Sequence, residues 1–375
     1  MSALGALSRA GVATLGPVIV PSPAPSDAEG LRARVQKELD AFLARQAGVL
    51  EEQGLELAPL AEAVADLLSG GKRLRPAFCY WGWRGAGGAD GAPIVGAATA
   101  LELFHAAALI HDDVMDDSDT RRGQPSTHRH FAELHRGSGW VGTPERFGQA
   151  AAILAGDLCL SWSDELLTTA GLPADALDRG RPVFDRMRTE LMGGQYLDML
   201  EQAVGGGSVS RARKVIRYKS AKYTAEHPLL LGGTLAGAGA DLLAAYSAYG
   251  LPLGEAFQLR DDVLGVFGDP VETGKPAGDD LREGKRTVLV AYALERASPA
   301  QAAAVRRHLG DPRLDARGIE TLREVIVDTR AHERVELLIT ELVEHAAQAL
   351  DRADVADVAR PVLAGLLAAA TARSG

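Results

Sequence analysis

Several absences narrow the reading of this chain before any motif is considered. Only two cysteines, Cys79 and Cys159, occur among its 375 residues, so there is no disulfide framework and a reducing cytoplasmic setting fits. Both sit in apolar surroundings and read as inert core thiols. Aromatic residues make up 5% of the chain while alanine and leucine dominate, a balance that favours helix over sheet. No run of eighteen uninterrupted apolar residues occurs, so no membrane span is expected. Net positive charge is also missing. The formal charge is -10, which argues against a nucleic-acid binder. An anionic ligand would have to be held by local lysines and arginines. There is neither βαβ alternation nor an internal repeat.

What is present is a hydrophobic content of 46%, enough for a sizeable core. Residues 1 to 28 are rich in Gly, Pro, Ser and Ala and read as a disordered tail. A signal peptide is the rival, because Val12 to Val20 is mildly apolar, but Gly and Pro interrupt that run and the charged start is weak. From Ser26-Asp27 onward helical patterns succeed one another to the end of the chain. Residues 29 to 375 therefore read as one all-α domain.

The informative stretch is Leu101 to His128, LELFHAAALIHDDVMDDSDTRRGQPSTH. Stepping from Ile94 at 3.6 residues per turn reaches Leu101, Phe104/His105, Ala108 and then Asp112. The inward stripe of this helix runs into an aspartate. Asp112 and Asp116 are four apart and share that face, and Asp113 reaches the same space from the side. Carboxylates that continue an apolar stripe are costly unless a cation meets them. An all-oxygen set of this kind suits Mg²⁺, which completes its octahedron with water and substrate phosphate. Arg121 and Arg122, just beyond, can grip the same phosphates. A second acidic cluster, Asp261 and Asp262 in FQLRDDVLGVFGD, again follows an apolar helical segment. The two clusters make sense as facing walls of one cavity, since like charges there would repel without metal. Upstream, Ser69-Gly70-Gly71 ends a helix and is followed by Lys72, Arg73 and Arg75, cations placed to clamp a diphosphate.

GGKRLRP (Gly70 to Pro76), DDVMD (Asp112 to Asp116) followed by TRRG, GGQYLD (Gly193 to Asp198), KSA (Lys219 to Ala221), FQLRDD (Phe257 to Asp262) and GKPAGDDLREGKRT (Gly274 to Thr287) occur in that order. This pattern resembles the trans-isoprenyl diphosphate synthases, or polyprenyl synthetases, over roughly residues 30 to 370, and is most like a bacterial geranylgeranyl diphosphate synthase. The resemblance implies an all-α bundle of the isoprenoid synthase type with a central cavity. It implies Mg²⁺, three ions bound with substrate, on Asp112, Asp113, Asp116, Asp261 and Asp262. Lys72, Arg75, His105 and Arg122 match positions that bind isopentenyl diphosphate. Arg121, Gln195, Lys219, Ser220, Gln258, Lys275 and Lys285 match those that bind the allylic diphosphate. Asp112, Asp116, Asp261, Lys219 and Gln258 would be the catalytic core, and a homodimer is usual.

Three departures are visible. The family usually has Lys-Thr where this chain has Lys219-Ser220, and Lys222 is a rival for that lysine. The third aspartate of the second acidic motif falls at Gly265, and the next acid, Asp269, shares its face only if the helix continues past Gly268 and Pro270. The stretch Gly137 to Gly148 looks longer than the family needs, with a lid, an interface loop and a passive insertion all open. Product length is read from the first acidic helix. Ala107 and Ala108, one turn below Asp112, are small and leave the cavity open. Phe104, two turns or roughly 12 Å down, would floor it at about four isoprene units, giving geranylgeranyl diphosphate. The alternatives are a farnesyl or longer-chain synthase, a terpene cyclase, and a non-catalytic subunit of a heteromeric synthase.

Overall fold

The computed structural model of the chain describes residues 30–268, 278–311 and 313–371. The tail expected over residues 1–28, together with Asp269 and Lys275, lies outside them. The apolar spacing produces helices throughout, and among the described residues the only strands are a two-residue ladder, Thr120–Arg121 with Gln124–Pro125. In chain order the helices are α1 (Leu31–Glu51), α2 (Ala58–Leu68), α3 (Leu74–Gly85), α4 (Ala92–Met115), α5 (Thr127–Gly137), α6 (Pro144–Thr169), α7 (Ala174–Val204) and α8 (Val209–Val215). A π-helix (Ile216–Glu226) leads from α8 into α9 (His227–Leu235) and α10 (Ala240–Phe267). Beyond these come α11 (Asp279–Arg282), α12 (Val288–Arg296), α13 (Pro299–His308), α14 (Ala316–Asp328), α15 (Ala331–Arg352) and α16 (Arg360–Thr371).

Helix α4 is the axis of the bundle. Pro93 sits in its first turn, where a missing N–H costs nothing, and nearly every residue from Ile94 to Ala107 is buried. By length and composition alone α4 could cross a membrane, the one such helix among the described residues, but 78% of its apolar window is buried inside the protein. Its hydrophobicity is that of a helix surrounded by others. The buried apolar residues form two clusters. The larger joins α1, α3, α4, α6, α7, α9 and the first half of α10. The smaller joins the second half of α10 to the helices from α11 to α15. Helix α10 belongs to both and ties them together.

One stretch differs from the sequence reading. Half of the stretch 137–148 is helical: α5 runs to Gly137 and α6 starts at Pro144, with Thr143 extended before it. Only 138–143 turns, and Trp140 folds edge-on against His135 and Phe147 at 5.9 and 5.3 Å. Proline in a first helical turn begins α6 rather than marking a loop. Helix α7 extends N-terminally to Ala174, tolerating Pro182 inside it. Ser208 caps α8, accepting from the Arg211 N–H.

The π-helix is the local feature that matters most for the site. It is gripped between two glycines. A Cβ on Gly194 of α7 would lie 2.7 Å from Lys219 Cα, and one on Gly254 of α10 would lie 2.6 Å from the Ala221 carbonyl oxygen. Any side chain at either position would push the backbone carrying Lys219, Ser220 and Tyr223 away from its neighbours. π-Helical turns often mark functional sites, and here one aims Lys219 at α4.

Candidate active site

Helices α4, α7, the π-helix and α10 enclose a cavity of about 910 Å³. Lys72, Arg75, His105, Ala108, Asp112, Arg121, Arg122, Gln195, Lys219, Ser220, Gln258, Asp261, Asp262 and Lys285 all line it. Residues far apart in sequence thus meet in one place.

The α4 wall is densely partnered. Asp112 accepts from Lys219 Nζ at 2.9 Å and from Gln195 Nε2 at 2.8 Å. Lys219 also donates to Asp198 at 2.6 Å. Burial works to raise the Asp112 carboxyl, but Lys219, Lys285 and Arg121 outweigh it and hold the group below the usual carboxylate range. The same carboxylates hold the Lys219 ammonium well above its ordinary value against burial. Asp116, at the end of α4, is pushed up to about 6 by burial and by Asp112 beside it. Lys219 is the lysine at the cavity. Lys222 turns away and pairs with Glu190 at 2.9 Å.

Asp113 does not face the cavity. It is 2% exposed and pairs with Arg121, whose Nε donates to its Oδ1 at 3.0 Å. The sideways reach read from its 100° offset leads to this arginine, so Asp113 holds Arg121 in place and is not a wall of the cavity. Phe104 and Ala107 also stand back from it. Phe104 is fully buried, with its ring 6.2 Å from Tyr223 and 6.3 Å from Phe184. Tyr223, Leu191 and Ala108 line the cavity, whereas Phe104 does not. Phe104 packs in a second layer beside Tyr223, and the helical step along α4 carried no information about the π-helix that brings this tyrosine there.

At the basic end, Arg75 donates to Thr224 Oγ1 at 2.9 Å and stacks over the Tyr223 ring at 4.1 Å. Tyr223 Oη is hydrogen-bonded to His105 Nδ1 at 3.0 Å. Burial, with Arg75, Arg122 and other arginines nearby, holds His105 well below its ordinary value, so the ring is neutral. Arg122 is anchored by the carbonyls of Leu67 and Gly70, each at 3.0 Å. Arg73 turns inward instead, to Glu102 at 2.5 Å, and fastens α3 to α4.

The α10 wall is different. Gln258 donates to Asp262 at 2.8 Å. Burial and the neighbouring Asp280 push Asp261 up to about 7. Burial, Asp280 and Asp261 push Asp262 up to about 8, against Gln258 and Lys285. Lys285 reaches Asp280 at 3.1 Å and Glu283 at 2.5 Å. Crowded carboxylates held at these values are what a divalent cation relieves. Among the described residues no three metal-ligating side chains are gathered around one point. The all-oxygen donors on two walls suit an ion that keeps waters and takes phosphate oxygens. Asp198, Tyr223, Asp280 and Arg286 belong to the site without having been singled out for it. Each carried a usable signal: Asp198 closes the GGQYLD motif, Asp280 and Arg286 lie within GKPAGDDLREGKRT, and Tyr223 lies one turn past Lys219.

Comparisons with known proteins agree with this geometry. Residues 58–326 match the family model described as polyprenyl synthetase. The crystal structure of a geranylgeranyl pyrophosphate synthase from Corynebacterium glutamicum, complexed with isoprenyl diphosphate and magnesium, is 42% identical. It superposes with a TM-score of 0.89 over 92% of this chain and 99% of that one. The geranylfarnesyl diphosphate synthase of Aeropyrum pernix is 32% identical over 80% of this chain and 89% of its own length. The geranylgeranyl diphosphate synthase of Sulfolobus acidocaldarius is 34% identical over 65% and 69%. With a cavity built from the six ordered motifs and a family match over most of its length, the chain belongs to the polyprenyl synthetase family of prenyltransferases.

Proposed function

We propose that the protein condenses isopentenyl diphosphate with an allylic diphosphate, head to tail, to give geranylgeranyl diphosphate. The observation that carries this is the pair of aspartate walls facing one cavity whose other end is lined by Lys72, Arg75, Arg122 and the neutral His105. Asp112, Asp116, Asp261 and Asp262 would hold Mg²⁺, consistent with the magnesium named in the Corynebacterium complex. When bound, the metal neutralises the allylic diphosphate and makes it a leaving group.

The chain's own residues do the rest. Lys219, Lys285 and Arg121 bring fixed positive charge to the departing diphosphate. Asp113 keeps Arg121 oriented by a buried pair. Ser220 and Gln258 place oxygen lone pairs near the developing allylic cation. Lys72, Arg75 and Arg122 orient isopentenyl diphosphate so that its double bond meets that cation. Tyr223, its hydroxyl bonded to His105 Nδ1, leaves the outer ring nitrogen of His105 as a donor to phosphate. No side chain acts as a nucleophile.

Product length follows from the packing below Asp112. Tyr223 and Leu191 meet the growing chain, and Phe104 with Phe184 stiffens them from behind. One observation favours a second reading, a longer product. Phe104 does not itself line the cavity, so it is not the surface the growing chain meets first. Ile153 and Leu154 on α6, with Met192, Tyr196 and Val204 on α7, are solvent-exposed apolar side chains that a homodimer would cover. Buried free thiols at Cys79 and Cys159 fit a cytoplasmic location.

The test is to incubate the purified protein with Mg²⁺, isopentenyl diphosphate and each short allylic diphosphate, and to resolve product lengths. A single twenty-carbon product is expected. Phe104→Ala should lengthen it and Ala107→Phe should shorten it. Longer wild-type products would replace the length assignment, and no linear product would remove the transferase reading. Light scattering of the same sample should give twice the chain mass.

A further inference from the structure

Gly265 breaks the acidic pattern on α10, at a position four residues past Asp261 and on the same helical face. In the folded chain that place is filled. A Cβ on Gly265 would lie 2.8 Å from Cγ of Asp280 and closer still to its Oδ2. Asp280 belongs to α11, which follows in sequence and packs back over the end of α10. Its carboxylate occupies the volume that a side chain at 265 would take. It lines the cavity together with Asp261, Asp262 and Gly265 itself. Its other oxygen, Oδ1, accepts from Lys285 Nζ at 3.1 Å.

We infer that Asp280 supplies the third carboxylate of the second metal-binding wall, and that Gly265 is glycine because it makes room for it. This rests on the proposed metal-dependent reading of the site. A carboxylate that α10 lacks is delivered from α11, so the wall keeps three acids with a changed connectivity. One consequence is a coupling absent from a wall built on a single helix. Lys285 and the third acid share the short segment Asp279 to Lys285, so they move together. The competing account is that Asp280 only orients Lys285.

The experiment measures Mg²⁺-dependent binding of inorganic pyrophosphate by calorimetry, at several Mg²⁺ concentrations, for wild type and four variants. Asp280→Ala should weaken the apparent Mg²⁺ affinity by about tenfold or more, in the range seen when groups supporting a metal site are lost. Gly265→Ala should do nearly the same by displacing the Asp280 carboxylate. Gly265→Asp alone should also be impaired, since two carboxylates compete for one space. The double variant Gly265→Asp/Asp280→Ala should recover most of the Mg²⁺ affinity, because the acid returns from α10. Far-UV circular dichroism and melting curves establish that each variant is folded. Unchanged Mg²⁺ dependence in Asp280→Ala, or a double variant no better than Asp280→Ala, would overturn the assignment and leave Asp280 as a partner of Lys285. A wild-type protein that binds no pyrophosphate with Mg²⁺ would overturn the functional reading itself, and this inference with it.

Discussion

The two acidic walls of the cavity have similar sequences and opposite electrostatics. On α4, Asp112 meets Lys219, Gln195 and Arg121, and its charge is compensated by the protein itself. On α10, Asp261 and Asp262 are packed with Asp280, and burial with mutual repulsion raises both. On the first wall the uncompensated group is Asp116, raised by burial and by Asp112. On the second, both adjacent aspartates are raised, and their repulsion is relieved by a proton or by an incoming cation. The same dipeptide, Asp-Asp, therefore gives a preorganised receptor on one helix and a metal-hungry one on the other. The difference lies in what the π-helix and α11 bring against each.

The strongest way to break this comparison is to neutralise one aspartate on each wall. Asp112→Asn and Asp261→Asn should each lower kcat by about 10³-fold, a loss typical of removing charge stabilisation from a reacting centre. Their effects on stability should differ in sign. Asp112→Asn weakens a charge-assisted bond to buried Lys219 and should destabilise the apo protein by about 1–3 kcal/mol. Asp261→Asn relieves repulsion and should raise the melting temperature in EDTA. Melting shifts in the same direction would end the contrast. A smaller effect separates the two lysines of the π-helix. Lys219→Met should cost about 100-fold in kcat/KM through lost charge stabilisation. Lys222→Met breaks its pair with Glu190, 2.9 Å away, and should change melting more than steady-state kinetics.

The pH dependence sharpens the same point. Asp261 and Asp262 hold protons up to about 7 and about 8 in the folded chain, whereas an unfolded chain releases them near pH ~4. Between these limits the folded state binds more protons, so this contribution to apo stability falls as pH rises. Asp112 has the opposite sign: its lowered value stabilises the fold above the ordinary carboxylate range and is lost only as pH falls through that lowered value. Melting curves from pH 5 to 8 in EDTA should therefore decline, and Mg²⁺ with pyrophosphate should flatten them. Arg286 gives the smallest expected effect. It lines the cavity with its Nε unpartnered, and Arg286→Ala should raise KM for a diphosphate substrate about fivefold, near 1 kcal/mol for a partly exposed ion pair.

Much of the site was legible because its residues lie on long periodic helices. The apolar stripe of α4 fixes where Asp112 points, and ordered motifs place Lys72, Arg75 and Lys219 at one cavity. What was hidden depended on tertiary neighbours. Asp113 lies on a predictable side of α4, but only the hairpin at Thr120–Arg121 reveals that Arg121 waits there. Phe104 is buried on α4 with Tyr223 of the π-helix against it, and nothing in a 3.6-residue period announces a π-helical turn. For the acid missing at Gly265, linear spacing offers Asp269, which lies outside the described residues. The carboxylate that fills the space beside Gly265 is that of Asp280, and a spatial return along α11 is invisible to linear spacing.

The glycine contacts around the π-helix bear on how such an enzyme can diverge. Lys219 is set by backbone lying against Gly194 and Gly254, so no side-chain substitution can shift it by small steps. Tyr223 is carried by the same π-helix, and its ring lies against Arg75, His105 and Phe104. A change at either glycine would therefore move Lys219 and Tyr223 together, so the placement of the ammonium and the shape of the cavity around Tyr223 are inherited as one unit. Divergence that alters one without the other has to come from side chains on α4 and α7.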